Sequence, residues 1–346
     1  MHPSPKATAF VKEVRIDYET IDTVHCPFEP DPTYPQEYPV LDVTLNWPPD
    51  DITRPKKIHR GLCIFDWEKD MEQAMNYRRA EKPFIVRGNP DLDATVLRWS
   101  DLSYLDTFLD QKSYLTEYSS NNHFMYWRNP KKGKHGAKKL EGWNPPTEMI
   151  NMKFSEWLAH ANEKEVAEVS KDDPHWYFRV SACSKMDHCP LPNLSGLYDE
   201  LPFFDVKDET LLMVEPKKQR GIHCRFGMAG VIAENHFDGS RNTVVLLGGE
   251  RRYVLSSQKN CENMALFTKE HPSGRHSAVD WSDPNLIEFP QFEDVMVNEV
   301  VLQGGDALYL PTNWFHYIIS LGTNFQCNSR SGISQESFPT MKMCGF

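Results

Sequence analysis

Positive charge is scarce in this 346-residue chain: 38 Lys and Arg stand against 49 Asp and Glu, a formal net charge of −11. General nucleic-acid binding needs a basic face to meet phosphates, so that class is disfavoured, although an acidic whole can carry a local basic patch. Long apolar runs are missing too. None reaches the roughly eighteen residues of a membrane-spanning helix, so no span is expected. The opening MHPSPKATAFVKEVRIDYET has no apolar centre of signal-peptide type. Paired Cys-x-x-Cys spacing is also absent. Cys26, Cys63, Cys183, Cys189, Cys224, Cys261, Cys327 and Cys344 are scattered, and CSKMDHC at 183–189 does not have zinc-site spacing. A chain of this length needs no disulfide staples. Reduced thiols and an intracellular location, cytoplasmic or nuclear, are therefore expected. No internal repeat is present.

Residues 1–60 are rich in proline and unsuited to helix or central strand. They read as an extended approach segment pinned by Tyr34, Tyr38, Val40, Leu41 and Trp47, with residues 1–30 reading equally well as a tail. Residues 61–346 read as one catalytic domain. Helical spacing marks residues 65–80, 101–110 and the stretch MKFSEWLAHANEKEVAEV. PFIVRG, SYLTEYSS, HFMYW and HWYFRVSA read as strands. The basic KKGKHGAKKLEG reads as a solvated loop or a mobile flap. From Leu211 on, strands and turns dominate: LLMVE, CRFGMAGVIAE, TVVLL, RRYVLSS, NEVVLQ, ALYL, FHYIISL and NFQCNSR, with turns at Gly248-Gly249 and Gly304-Gly305-Asp306. Many short antiparallel runs imply a mainly β fold with flanking helices, a double-sheet jelly roll of cupin type.

His236 and Asp238 stand two apart in VIAENHFDGS, so on a strand they leave the same face. His316 comes from a second strand-like run, GGDALYLPTNWFHYIISL. Alone, a His-x-Asp pair is a weak signal. With a second imidazole it makes two histidines and one carboxylate with open positions opposite, the ligand set of a non-heme Fe(II) oxygenase. The lack of thiolate ligands argues against structural zinc.

These residues also carry a family resemblance. From Lys82 to Ser331 the chain resembles JmjC-domain oxygenases, which depend on Fe(II) and 2-oxoglutarate. Within them it resembles the asparaginyl-hydroxylase branch, factor inhibiting hypoxia-inducible factor. PFIVRG, YSSNNHFMYW, HWYF, HFDGSRN, HPSGRHSAVDWSDPNLIEFPQF, GGDALYLPTNWFH and QCN carry it in order. The resemblance implies a double-stranded β-helix with iron on His236, Asp238 and His316. It implies cosubstrate contacts from Tyr177, Asn242, Arg251 and Asn328, and a substrate groove lined by Tyr118, Tyr126, Arg275 and His276. The implied reaction consumes O2 and 2-oxoglutarate, releases succinate and CO2, and hydroxylates a side chain of a protein or peptide. An N-methyl-lysine demethylase, a small-molecule oxygenase and a non-catalytic cupin-like binding module remain alternatives.

The sequence departs from that pattern in places. Arg251 replaces a lysine, and its guanidinium can hold a carboxylate through two parallel hydrogen bonds. Arg252 would face the other way and is expected on the surface. Ala233 replaces a cosubstrate-binding threonine, losing about 1 kcal/mol of hydrogen bonding. His276 replaces a glutamine that grips an asparagine amide, which an imidazole cannot imitate. SGISQESFPTMKMCGF has no room for the paired C-terminal helices of that branch. A monomer, or a dimer formed otherwise, is expected.

Overall fold

The computed structural model describes residues 15–109, 112–129, 138, 140–183 and 194–346. Two sheets face each other across the core. One has nine strands, in the order Ile64–Asp66, Phe84–Arg87, Ala307–Leu310, Asn242–Gly248, Asn324–Ser331, Gln219–Gly227, His175–Ala182, Ser113–Ser119 and Glu148–Lys153. The other has six: Tyr38–Pro39, Met296–Gln303, Glu250–Ser256, Phe315–Ser320, Ile232–Phe237 and His123–Phe124. From Gln219 on, the strands alternate between the sheets, four in each, except that Glu250–Ser256 and Met296–Gln303 follow one another in the six-stranded sheet. This is the expected jelly roll, and its interior is where two half-sheets bury their facing side chains.

Helices cover the outside. Met71–Arg79 lies within the expected helix at 65–80, and Leu102–Phe108 within that at 101–110, where Asp101 caps it by accepting from Ser103 and Tyr104 N–H. Phe154–Ala161 ends earlier than its periodicity suggests, with only a short 3-10 turn at Val166–Glu168 beyond it. Pro90–Trp99 was not anticipated, although Asn89 caps it and Pro90 sits at its first position, both standard start signals. No helix of the described residues is long and apolar enough to cross a membrane.

Several expectations need correction. LLMVE forms no strand. The Pro-rich segment is not simply extended: Val40–Asn46 is helical, and Tyr38–Pro39 joins the six-stranded sheet beside Met296 and Val297. Four of its five expected pins, Tyr34, Tyr38, Val40 and Trp47, are buried, and Leu41 is half-buried. Arg252 is not a surface residue. It is 1% exposed, paired with Glu299 at 2.7 Å, donates to Trp47 O at 2.7 Å and lies 4.4 Å over the Trp47 ring. It faces away from the barrel interior as the alternation requires, but the N-terminal helix covers that face.

The cysteines among the described residues are not reduced. Cys26–Cys63, Cys224–Cys327 and Cys261–Cys344 are disulfides, and Cys183 is also disulfide-bonded. The partners lie 37, 103 and 83 residues apart in sequence. Jelly-roll topology brings them together: Cys224 and Cys327 are direct cross-strand partners. Most of the KKGKHGAKKLEG and CSKMDHC stretches lies outside the described residues.

Candidate active site

His236 and His316 belong to neighbouring antiparallel strands and stand directly opposite one another. Their ring centroids are 4.2 Å apart. The His236 strand carries one extra residue between Ala233 and His236 relative to its partner. Such a bulge re-aims side chains. Ala233 and His236, three apart, consequently both face the same cavity of about 410 Å³. Asp238 follows the strand end and lines that cavity too.

Each histidine has its Nδ1 on a backbone carbonyl, His236 on Glu234 O at 2.7 Å and His316 on Trp314 O at 3.1 Å. A carbonyl accepts only, so Nδ1 carries the proton and Nε2 keeps its lone pair for a ligand bond. Burial depresses both imidazoles below their ordinary value, His236 well below it, so both are neutral at pH 7. Burial alone would raise the Asp238 carboxyl, but Arg330, the imidazoles and Arg275 hold it well below the usual carboxylate range. Two neutral imidazoles and an ionised carboxylate are the donor chemistry a hard-to-borderline divalent ion such as Fe(II) takes. Asp238 is engaged elsewhere as the side chains stand. Oδ1 accepts from Arg330 at 2.9 Å and Arg275 at 3.3 Å, and Oδ2 from Asn242 at 3.2 Å. Among the described residues no three His, Cys, Asp or Glu side chains enclose a cation in this arrangement.

Three of the four expected cosubstrate residues, Tyr177, Asn242 and Asn328, line the cavity. Asn328 Nδ2 donates to Asn242 Oδ1 at 2.9 Å, linking that pair to Asp238. Arg251 is fully buried and stands behind the cavity wall, not in it. It donates to the Tyr177 hydroxyl at 3.0 Å, Gln326 Oε1 at 2.7 Å, Arg225 O at 3.2 Å and Asn324 Oδ1. Tyr177 and Gln326 both line the cavity and carry its influence inward. Gly227 makes this packing possible, since a Cβ there would lie 2.5 Å from Ser320 Oγ and 3.1 Å from Arg251 Nη2.

Three expected groove residues reach the cavity. His276 stacks beside His236 at 5.0 Å between centroids, its imidazole pushed down to about 3 by burial and then by Arg275. Arg275 lines the cavity beside Asp238, and the half-exposed Tyr126 sits at the edge under Arg179, 5.8 Å from its ring centroid. Tyr118 does not reach it. It packs against Trp176, 5.5 Å between centroids, while the adjacent Glu117 takes the cavity face. One position of strand register separates the two.

Sequence reasoning missed Arg179, Arg225, Arg330, His223 and Glu117, all of which line the cavity. The signal was period-two alternation. Arg179 follows Tyr177 by two residues and Arg330 follows Asn328 by two, so each shares its neighbour's face. Glu117 pairs with Arg179.

The fold and this site define a cupin, and the sequence pattern of the family described as a cupin-like domain matches residues 70–331. The chain belongs to that family. It is similar to lysine-specific demethylase 8 of Xenopus tropicalis, 29% identical over 104 residues, 30% of this chain and 23% of that protein. It is similar to Jumonji C domain-containing protein 5 of Drosophila melanogaster, 26% identical over 104 residues, 30% of this chain and 26% of the other. The tRNA wybutosine-synthesizing protein 5 of Danio rerio is 23% identical over 174 residues, 49% of each chain. The matched stretch spans about a quarter of the first of these relatives and about half of the last.

Proposed function

We propose that the protein is an Fe(II)- and 2-oxoglutarate-dependent oxygenase that hydroxylates a side chain of a polypeptide. The observation that carries this reading is the cross-strand pair His236 and His316, each with Nε2 left for a ligand bond, facing one cavity with ionised Asp238. These three would hold the metal. Iron with 2-oxoglutarate supplies oxidation of an unactivated C–H: one atom of O2 enters the product, the other enters succinate, and CO2 leaves. The chain's own residues do the positioning. Tyr177, backed by Arg251, presents a hydroxyl whose donor is free for the distal cosubstrate carboxylate. Asn242 and Asn328 hold the Asp238 side of the cavity. Tyr126, Arg275 and His276 face the substrate. A dry cavity and fixed placement of the target carbon decide where oxygen goes.

The demethylases among its relatives favour a second reading, oxidation of an N-methyl-lysine. The cavity opposes it. Four arginines and two carboxylates line the wall, a positive balance that repels an ammonium group. As for location, cross-linked thiols fit an oxidising compartment better than a reducing cytosol. Incubation with Fe(II), ascorbate and 2-oxoglutarate should yield succinate in wild type and none in His236→Ala. No succinate from wild type with any peptide would leave a binding module instead.

A further inference from the structure

The arginines are more numerous than the proposed cosubstrate needs. Arg179 and Arg225 are direct cross-strand partners, and both face the cavity. Like charges placed opposite one another destabilise a strand pair. Arg330, on the strand at the other side of Arg225, adds a third positive charge within electrostatic range. Counter-charge is short. Glu117 serves Arg179, and Asp238 serves both Arg275 and Arg330. Arg225 has no carboxylate within ion-pair distance among the described residues, Glu117 attracting it only from farther off, and its one side-chain hydrogen bond runs to the neighbouring Cys224 O at 3.2 Å. Nε of Arg179 and Nε of Arg330 are buried and unpartnered. A local arrangement this unfavourable persists where a ligand completes it.

Resting on the oxygenase reading, we infer that the side chain oxidised in this cavity is acidic, an Asp or Glu of a polypeptide, and that Arg225 and Arg330 hold its carboxylate. The cosubstrate's two carboxylates are accounted for by the metal and by the Tyr177–Arg251 side. The remaining guanidiniums face a planar anion, which a fork of N–H donors grips through paired hydrogen bonds. A metal drawing on Asp238 would withdraw charge from Arg330 and strengthen its demand for an anion. A phosphodiester backbone fits less well. These arginines line an interior cavity rather than a basic face, and the chain as a whole carries −11.

The test is binding of short fluorescent peptides, identical except for a central Asp, Glu, Asn, Gln or Lys, to Mn(II)- and 2-oxoglutarate-loaded protein. Acidic peptides should bind at least about tenfold more tightly than their amide isosteres, with Lys weakest. Arg225→Met should bring that ratio to within about threefold, and Arg225→Lys should restore part of it. Circular dichroism establishes that each variant is folded. With Fe(II) and O2, mass spectrometry should find one added oxygen on the acidic residue. Equal binding of acid and amide would overturn the inference. So would a preference that survives both Arg225→Met and Arg330→Gln, an oligonucleotide outcompeting every peptide, or an Arg225→Met loss confined to 2-oxoglutarate affinity. An acid preference without succinate formation would sink the oxygenase reading alone and leave the anion site standing.

Discussion

Replacing Arg225 with methionine should make the protein more stable. Burial, and then the neighbouring Arg179, pushes the Arg225 guanidinium down to about 10, so keeping it charged at pH 7 works against folding. A depression of that size, discounted because the side chain is only half-buried, corresponds to about 1–3 kcal/mol. Methionine keeps most of the apolar stem and fills the same space. The lost hydrogen bond to Cys224 O subtracts about 1 kcal/mol. A net gain of about 0–2 kcal/mol remains, which in a chain of this size raises the melting temperature by up to a few degrees. The sign with pH follows. A base whose folded value is depressed destabilises fully below that value, so the advantage of Arg225→Met should hold below about pH 10 and shrink above it. Thermal melts at pH 7 without added 2-oxoglutarate or succinate would measure it. A melting temperature several degrees lower in the variant would refute the reasoning, because it would mean that Arg225 is well compensated in the native state.

Glu299→Ala would strand the Arg252 charge under the N-terminal helix, at a cost of about 3–5 kcal/mol, read as a lower urea midpoint with unchanged slope. Burial alone would raise the Glu299 carboxyl, but Arg252 and His59 hold it below the usual range. Its contribution should be full above the unfolded value of about 4.3 and lost as pH falls through the lower folded value. Gly227→Ala presses a methyl group onto Ser320 Oγ and Arg251, so it should cost about 1–3 kcal/mol by denaturant melt and weaken 2-oxoglutarate binding by calorimetry. Thiol titration of unreduced, unfolded protein should leave Cys26, Cys63, Cys224, Cys261, Cys327 and Cys344 unlabelled, and reduction should expose them.

The jelly roll was legible because its strands are short, apolar and separated by Gly-rich turns, signals that need no partner to read. That His236, Asp238 and His316 face one cavity was legible because metal chemistry restricts which residue types are worth looking for. What failed depended on knowing which faces are covered. Arg252 does point away from the cavity, but nothing within RRYVLSS says that Val40–Asn46 and Trp47 lie over that face. Tyr118 and Glu117 exchange roles through a single position of register, which the aromatic richness of SYLTEYS concealed. The disulfides join cysteines whose strands become neighbours only after the whole barrel closes. Arg179, Arg225 and Arg330 were readable in principle, each two residues from a position already assigned to the cavity or to its facing strand partner. Charged residues on strands are expected to face water, and that expectation masked them.

The metal assignment meets its sharpest test in a titration with Mn(II), followed through the paramagnetic resonance of the unbound ion. Wild-type protein should take up a single tight ion, and folded His236→Ala and His316→Ala should each lose it. Unchanged uptake in both variants, or no uptake by wild type, would contradict the placement of a metal between these two strands.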